Sequence, residues 1–212
     1  MAQQFPHVRF DGLDIVPIAT RYPPANVRFE MHDIAEPFRY ANGTYDLVHG
    51  RSISMAVRDY PALVDEVARV LRPGGLFVGC EFNRIPAMAH GRDASTHLPL
   101  SSRFFDAVNQ TLYFSKGILN VAPCISRILN ASDHFDEVHQ LRVEMPVGGD
   151  HFGTCFKGLL KMYVEGLKVV LLDAGWSRAQ VDDLARGYLH EMEHIPGMVS
   201  IYHAVYARKR AV

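Results

Sequence analysis

Two acids stand where a sequence of this kind could do chemistry. Val8, Phe10 and Leu13 form a short apolar run that stops at Asp14, and Val27, Phe29 and Met31 alternate before the chain stops again at Asp33. In an open parallel sheet, ligands bind outside the carboxyl ends of the strands, so acids at two successive strand ends face one crevice. A carboxylate offers two acceptor oxygens and no donor, which suits the hydroxyls of a ribose. Taken singly, each acid reads equally well as a turn or cap residue. Nineteen residues apart at matching strand ends, the two together point to a ligand.

Histidine supplies the competing chemistry. His190-Glu191-Met192-Glu193-His194 is an HExxH pattern, in which two histidines one helical turn apart hold zinc and the glutamate activates water. Pro196-Gly197 cuts the helix directly afterwards, no third ligand is marked downstream, and in a chain with 11 histidines such a match also arises by chance. His49, His90 and His97 fall at a strand end or in a long loop, where a general base would sit, and nothing in the sequence ranks them. No GxGxxG and no YxxxK pair is present, which leaves a nicotinamide dehydrogenase without its usual marks.

The 212 residues, 48% of them hydrophobic, are enough for one full core and one domain, residues 1–212. With 22 basic against 23 acidic residues the net charge is -1, which gives no electrostatic reason to expect nucleic acid, and no run of apolar residues reaches membrane-spanning length. Cys80, Cys124 and Cys155 form no CxxC and read as reduced, buried thiols of the cytosol.

The elements that must position these residues alternate between the strand and helix periods. Strands are expected to end at Asp14 and Asp33, with a brief turn or helix over Ile15 to Ala25 between them, and a buried strand at Tyr45 to His49 after the Asn42-Gly43 turn. Asp59 caps a helix with Pro61 in its first turn and Leu63, Val67, Val70 and Leu71 at helical spacing; Pro73-Gly74-Gly75 ends it, and Leu76 to Glu81 follows as a strand. Strand, helix and parallel strand in that order is a βαβ unit of a layered α/β sheet. Residues 84–134 read as a lid or substrate region: a long loop from Arg84 to Pro99, a helix over Ser101 to Phe114, and a helix over Ile118 to Leu129 broken near Pro123. A strand over Phe135 to Met145, an amphipathic helix over Lys157 to Ala174 closed by Gly175, a helix from the Ser177 capping box to about Met192, and a strand over Ile201 to Ala207 complete the chain.

Together GLDIVP with Asp14, NVRFEMHDI with Asp33, YDLVHGR at 45 to 51, LVDEVARVLRPGG at 63 to 75 and FVGCE after it resemble the class I S-adenosylmethionine-dependent methyltransferases. MPVG at 145 to 148 and AGWSRAQVDDL at 174 to 184 narrow the resemblance to the fungal LaeA-like, secondary-metabolite branch, over Gln3 to Arg208. The resemblance implies a Rossmann-like α/β sheet with a reversed final strand, a helical lid insertion, S-adenosyl-L-methionine as cofactor and a small-molecule methyl acceptor, in the cytoplasm or nucleus. By position it implies that Asp14, with Ile15 beside it, holds the ribose hydroxyls. Asp33 takes the adenine amine while Ile34 packs on the ring, and Gly50 and Arg51 lie near the methionine part.

One departure carries its own expectation. The family's glycine-rich loop follows its first strand, and the sequence before Asp14 has no room for it; MAQQFPHVRF resembles the end of the first helix and the start of the second strand. The first strand and helix are therefore expected to be missing, with strand edges left unpaired and the cofactor bound weakly or not at all. A degenerate, non-catalytic subunit that packs this edge against a protein partner or a second copy is the alternative.

Overall fold

The computed structural model describes residues 1–17 and 22–211. Two parallel strand pairs carry the first half of the chain. β1 (Phe10–Asp14) pairs with β2 (Val27–Met31), Asp14 opposite Met31, in a two-stranded sheet. β3 (Tyr45–Arg51) pairs with β4 (Leu71–Phe82), Arg51 opposite Cys80, in a five-stranded sheet. Part of the turn expected between β1 and β2 lies outside the described residues.

The last strand reverses direction. β7 (Met198–Lys209) runs antiparallel to β4 on one side and to β6 (Phe135–Pro146) on the other, with the two-residue β5 (Ala87–Met88) meeting the start of β7. The Rossmann-like sheet with a reversed final strand is therefore present. No backbone ladder joins β1 to β3 among the described residues, so each has one unpaired edge.

Helices cover both faces. On one face α1 (Tyr60–Val70) and α4 (Ile125–Ala131) enclose a core with Tyr60, Val67, Phe77, Ile125, Leu129 and Val205. Asp59 caps α1 by accepting from Ala62 N at 2.9 Å. The other face is closed by α3 (Pro99–Lys116), α5 (His151–Asp173) and α6 (Arg178–His194), whose core includes Phe104, Val108, Leu112, Leu167, Val181 and Tyr188. The capping box at Ser177 and Gln180 is made in both directions. The expectation of buried thiols is met by Cys80 but not by half-buried Cys124 or exposed Cys155.

Several boundaries differ from the sequence expectation, each for a local reason. α1 ends at Val70 and the strand begins at once, so that Leu71 pairs with Tyr45 and Pro73-Gly74-Gly75 forms an irregularity inside β4 rather than a stop before it. Glycine is required there: Gly74 has φ +75°, and a Cβ on Gly75 would meet Arg72 O at 2.9 Å. The stretch from Arg84 to Pro99 is not one long loop but holds β5, a single 3₁₀ turn at Ala89–Gly91 and α2 (Ala94–His97), which Asp93 caps through Ser95 N and Thr96 N. α5 starts six residues earlier than its amphipathic pattern suggests, because Asp150 caps it through Gly153 N at 2.7 Å.

The loop that carries β2 to β3 is tied to α1. Arg69 donates to the carbonyls of Phe38 and Tyr40 and to Asn42 Oδ1, while Glu66 accepts from Phe38 N at 2.6 Å and pairs with Arg69. That clamp fixes the path of the chain between Asp33 and the start of β3.

Candidate functional site

Asp14 and Asp33 stand at the carboxyl ends of adjacent parallel strands. Met31 is the register partner of Asp14 and precedes Asp33 by two residues, and His32 N still donates to Asp14 O at 2.9 Å. The strand period of two therefore carries Asp14, Met31 and the extension to Asp33 toward the same side. Both carboxylates are exposed and each closes a local turn: Asp14 Oδ1 accepts from Val16 N at 3.1 Å, and Asp33 Oδ1 accepts from Ala35 N at 2.9 Å. Oδ2 of each acid has no partner among the described residues. Ile15 is exposed beside Asp14, whereas Ile34 is half-buried and packs against the α1 core.

Gly50 and Arg51 are the last two residues of β3. A Cβ on Gly50 would meet Ile53 Cδ1 at 3.0 Å, so Gly50 makes room for the protein's own Ile53 side chain. Beyond Arg51 the chain turns sharply, with Ser52 at φ 56° and its N–H donated to Cys80 O.

Directly past that turn lies a cavity of about 480 Å³. Its floor is made by Ser52, Ser54, Glu81 and Phe82 at the ends of β3 and β4, and α5 covers it with Phe152, Phe156, Leu159 and Tyr163. Phe156 stacks between Phe82 and Phe152, at ring separations of 5.7 and 6.2 Å. α3 is chiefly a core element, with Phe104, Val108 and Leu112 inside the protein and Phe105 reaching the cavity.

Two charged residues line this cavity, and both are only 2% exposed. Glu81 accepts from Ile53 N at 2.8 Å, Ser54 N at 3.2 Å and Ser54 Oγ at 2.8 Å. Arg84 donates to Asn109 Oδ1, Leu119 O and Ser54 Oγ. Burial pushes the Glu81 carboxyl up against the pull of these donors, and burial lowers the Arg84 guanidinium. Glu81 ends the apolar run of β4 as Asp14 ends that of β1, a signal present in the sequence but not used; Arg84, Tyr163 and the aromatic lining come together only through packing.

The histidines singled out by sequence do not gather here. His49, His90 and His97 are exposed, and none lines the cavity. Partial burial and neighbouring Arg51 lower His49, while His97 Nδ1 lies 3.1 Å from Asp93 O. In the HExxH stretch, His190 and His194 stack at 4.3 Å on the surface, but Glu191 points inward and accepts from Leu100 N, Ser101 N and Ser101 Oγ at 2.6 to 2.9 Å. The glutamate holds the start of α3, and among the described residues no three His, Cys, Asp or Glu side chains are placed to hold a metal.

Residues 12–139 match the family described as "Methyltransferase domain". The secondary metabolism regulator laeA of Coprinopsis cinerea is 26% identical over 203 residues, covering 90% of this chain and 50% of that protein. Methyltransferase str2 of Strobilurus tenacellus is 26% identical over 194 residues, covering 90% and 69%. Among solved structures, the YcgJ protein of Bacillus subtilis superimposes with a TM-score of 0.52 at 17% identity, covering 99% of this chain and 86% of that one, which speaks for the fold alone. The chain spans about half the length of the first of these relatives. The family match covers more than half of the residues and takes in β1 to β4 with both acids: this chain belongs to the methyltransferase domain family.

Proposed function

We propose that the protein transfers a methyl group from S-adenosyl-L-methionine to a small molecule, in the manner of fungal secondary-metabolite methyltransferases. The observation that carries this reading is the match of residues 12–139 to the methyltransferase domain, which takes in the acids at and just past the ends of the parallel strands β1 and β2. An apolar cavity opens separately, just after Arg51.

The residues fit the nucleoside end of the cofactor. The spare oxygens of Asp14 and Asp33 are acceptors for ribose hydroxyls and an exocyclic amine. Ile15 and the exposed side of Ile34 flank these acids, and Arg51 stands at the methionine end. When bound, the cofactor supplies an already activated methyl group. The protein's own task is then to hold the acceptor in line with that methyl group.

Full cofactor affinity, in this reading, needs a strand seated between β1 and β3 whose turn provides backbone donors for the cofactor's carboxylate. Isothermal titration with S-adenosylmethionine tests this on the present chain and on one extended upstream. Tighter binding by the extended chain is expected, Asp14→Ala and Asp33→Ala should each weaken it by about tenfold or more, and equal affinity of the two chains would refute the proposal.

A second reading is favoured by the open edges of β1 and β3: a methyltransferase-like subunit without catalysis, which pairs these edges with a partner. Light scattering on the purified chain separates the two, since a well-behaved monomer speaks against it. No helix of the described residues is long and apolar enough to cross a membrane, and the three free cysteines support placement in the cytosol or nucleus.

A further inference from the structure

The cavity covered by α5 has two charges on its walls, of opposite sign and both buried. Glu81 and Arg84 are linked through the Ser54 hydroxyl, which donates to Glu81 Oε2 at 2.8 Å and receives Arg84 Nη1 at 3.4 Å. The remaining bonds of both go to the protein's own backbone and to Asn109. An ionised ligand group entering here would give up water and meet two charges of opposite sign, both 2% exposed and linked through Ser54, so that neither sign is favoured, at a cost that disfavours amines, carboxylates and phosphates alike.

One polar group in the lining is poorly used. The Tyr163 hydroxyl donates to Met55 Sδ at 3.0 Å, and a thioether is a weak acceptor. Its proton can be redirected to an oxygen, and its own lone pairs are free to accept from a hydroxyl. Burial raises the phenol above its usual value, so it remains neutral and serves to orient a ligand rather than to remove a proton. The rest of the lining, including Phe82, Phe105, Phe152 and Phe156, offers apolar and aromatic surface in a volume suited to a ligand of two or three rings.

Resting on the methyltransferase reading for its role, we propose that this cavity is the acceptor site for a neutral, largely apolar aromatic molecule bearing a hydroxyl, with Tyr163 as the residue that positions the hydroxyl. Acceptors carrying a full charge are excluded by the walls.

The experiment is isothermal titration of the full chain, without cofactor, with four probes of one shape: 2-naphthol, naphthalene, 2-naphthoate and 2-naphthylmethylammonium. 2-Naphthol is expected to bind at least about tenfold more tightly than either ion. Tyr163→Phe should weaken 2-naphthol about five- to tenfold while leaving naphthalene unchanged, a difference that a merely structural role would not produce. Leu159→Trp, at a position 61% exposed on α5, should fill the cavity and abolish binding of all four without unfolding the chain. An ion that binds as tightly as 2-naphthol overturns the neutrality of the site. A Tyr163→Phe variant that weakens every probe equally, or none, overturns the role of Tyr163, and failure of all four probes to bind overturns the site. Because no cofactor is present, these outcomes are independent of whether the protein transfers methyl groups.

Discussion

The Tyr45 hydroxyl donates to Asp11 Oδ2 at 2.8 Å, linking the first residue of β3 to β1 across the place where the two sheets share no ladder. Asp11 is otherwise held by Arg28 Nε at 3.1 Å and Arg9 Nε at 3.6 Å, and the Tyr45 ring meets Tyr40 edge-on at 5.0 Å. The contact runs through side chains at the strand starts, so it ties the two parallel pairs together while leaving the backbone edges between them unpaired.

Tyr45→Phe keeps the ring and removes the bond. It should lower stability by about 1–2 kcal/mol, the usual worth of a hydrogen bond to a charged acceptor that is partly screened. The urea midpoint should fall with an unchanged slope. An unchanged midpoint would show that β1 is held by the ladder to β2 alone.

Glu191 tests the meaning of the HExxH stretch. With three bonds to the start of α3 and 4% exposure, its replacement by alanine strands two backbone donors and a hydroxyl, and should cost about 3 kcal/mol or more. His190→Ala and His194→Ala, on the surface, should each stay within about 0.5 kcal/mol. Zinc analysis of the purified protein should find no stoichiometric metal; one zinc per chain lost in either histidine variant would contradict this.

Acid sensitivity has a definite sign. Lys157 and Lys161 hold Glu193 down to about 2 from the usual 4.5, and bonds from Thr96 and Ser95 hold Asp93 down to about 2 from 3.8. Both groups bind protons more weakly when folded, so what they contribute is present above about pH 4.5 and is lost as pH falls toward 2. Thermal midpoints measured across that window should drop on acidification, and Glu193→Gln should lower the midpoint at neutral pH while flattening the acid limb. Parallel curves for the two proteins would contradict the pairing.

Local chemistry was legible and long-range assembly was not. The N-cap at Asp59, the capping box at Ser177 and Gln180, the turn at Asn42-Gly43 and the acids that end β1 and β2 depend on neighbours within four residues, and the chain reveals them directly. The early start of α5 was hidden because Gly153 and Thr154 weaken the helical pattern that Asp150 rescues by capping. The direct passage from α1 into β4 was hidden because Leu71 fits a helix as well as a strand until Tyr45 pairs with it. The cavity unites Ser54, Glu81, Phe105, Met145 and Tyr163, residues more than a hundred positions apart at the extremes, so no periodicity could assemble it. Glu191 misled for the complementary reason: its spacing fits a metal site, and only the packing of α6 on α3 shows where its carboxylate goes.

In the proposed function the acid-tipped strands grip the nucleoside. A ¹⁵N-labelled chain titrated with S-adenosylmethionine reports this residue by residue, even for binding as weak as about 1 mM. Saturable shifts are expected at the amides of Asp14, Ile15, Asp33, Ile34, Gly50 and Arg51, and they should be lost at all six positions in Asp14→Ala. Shifts confined to other surfaces, or none at these amides up to about 10 mM, would contradict the central claim.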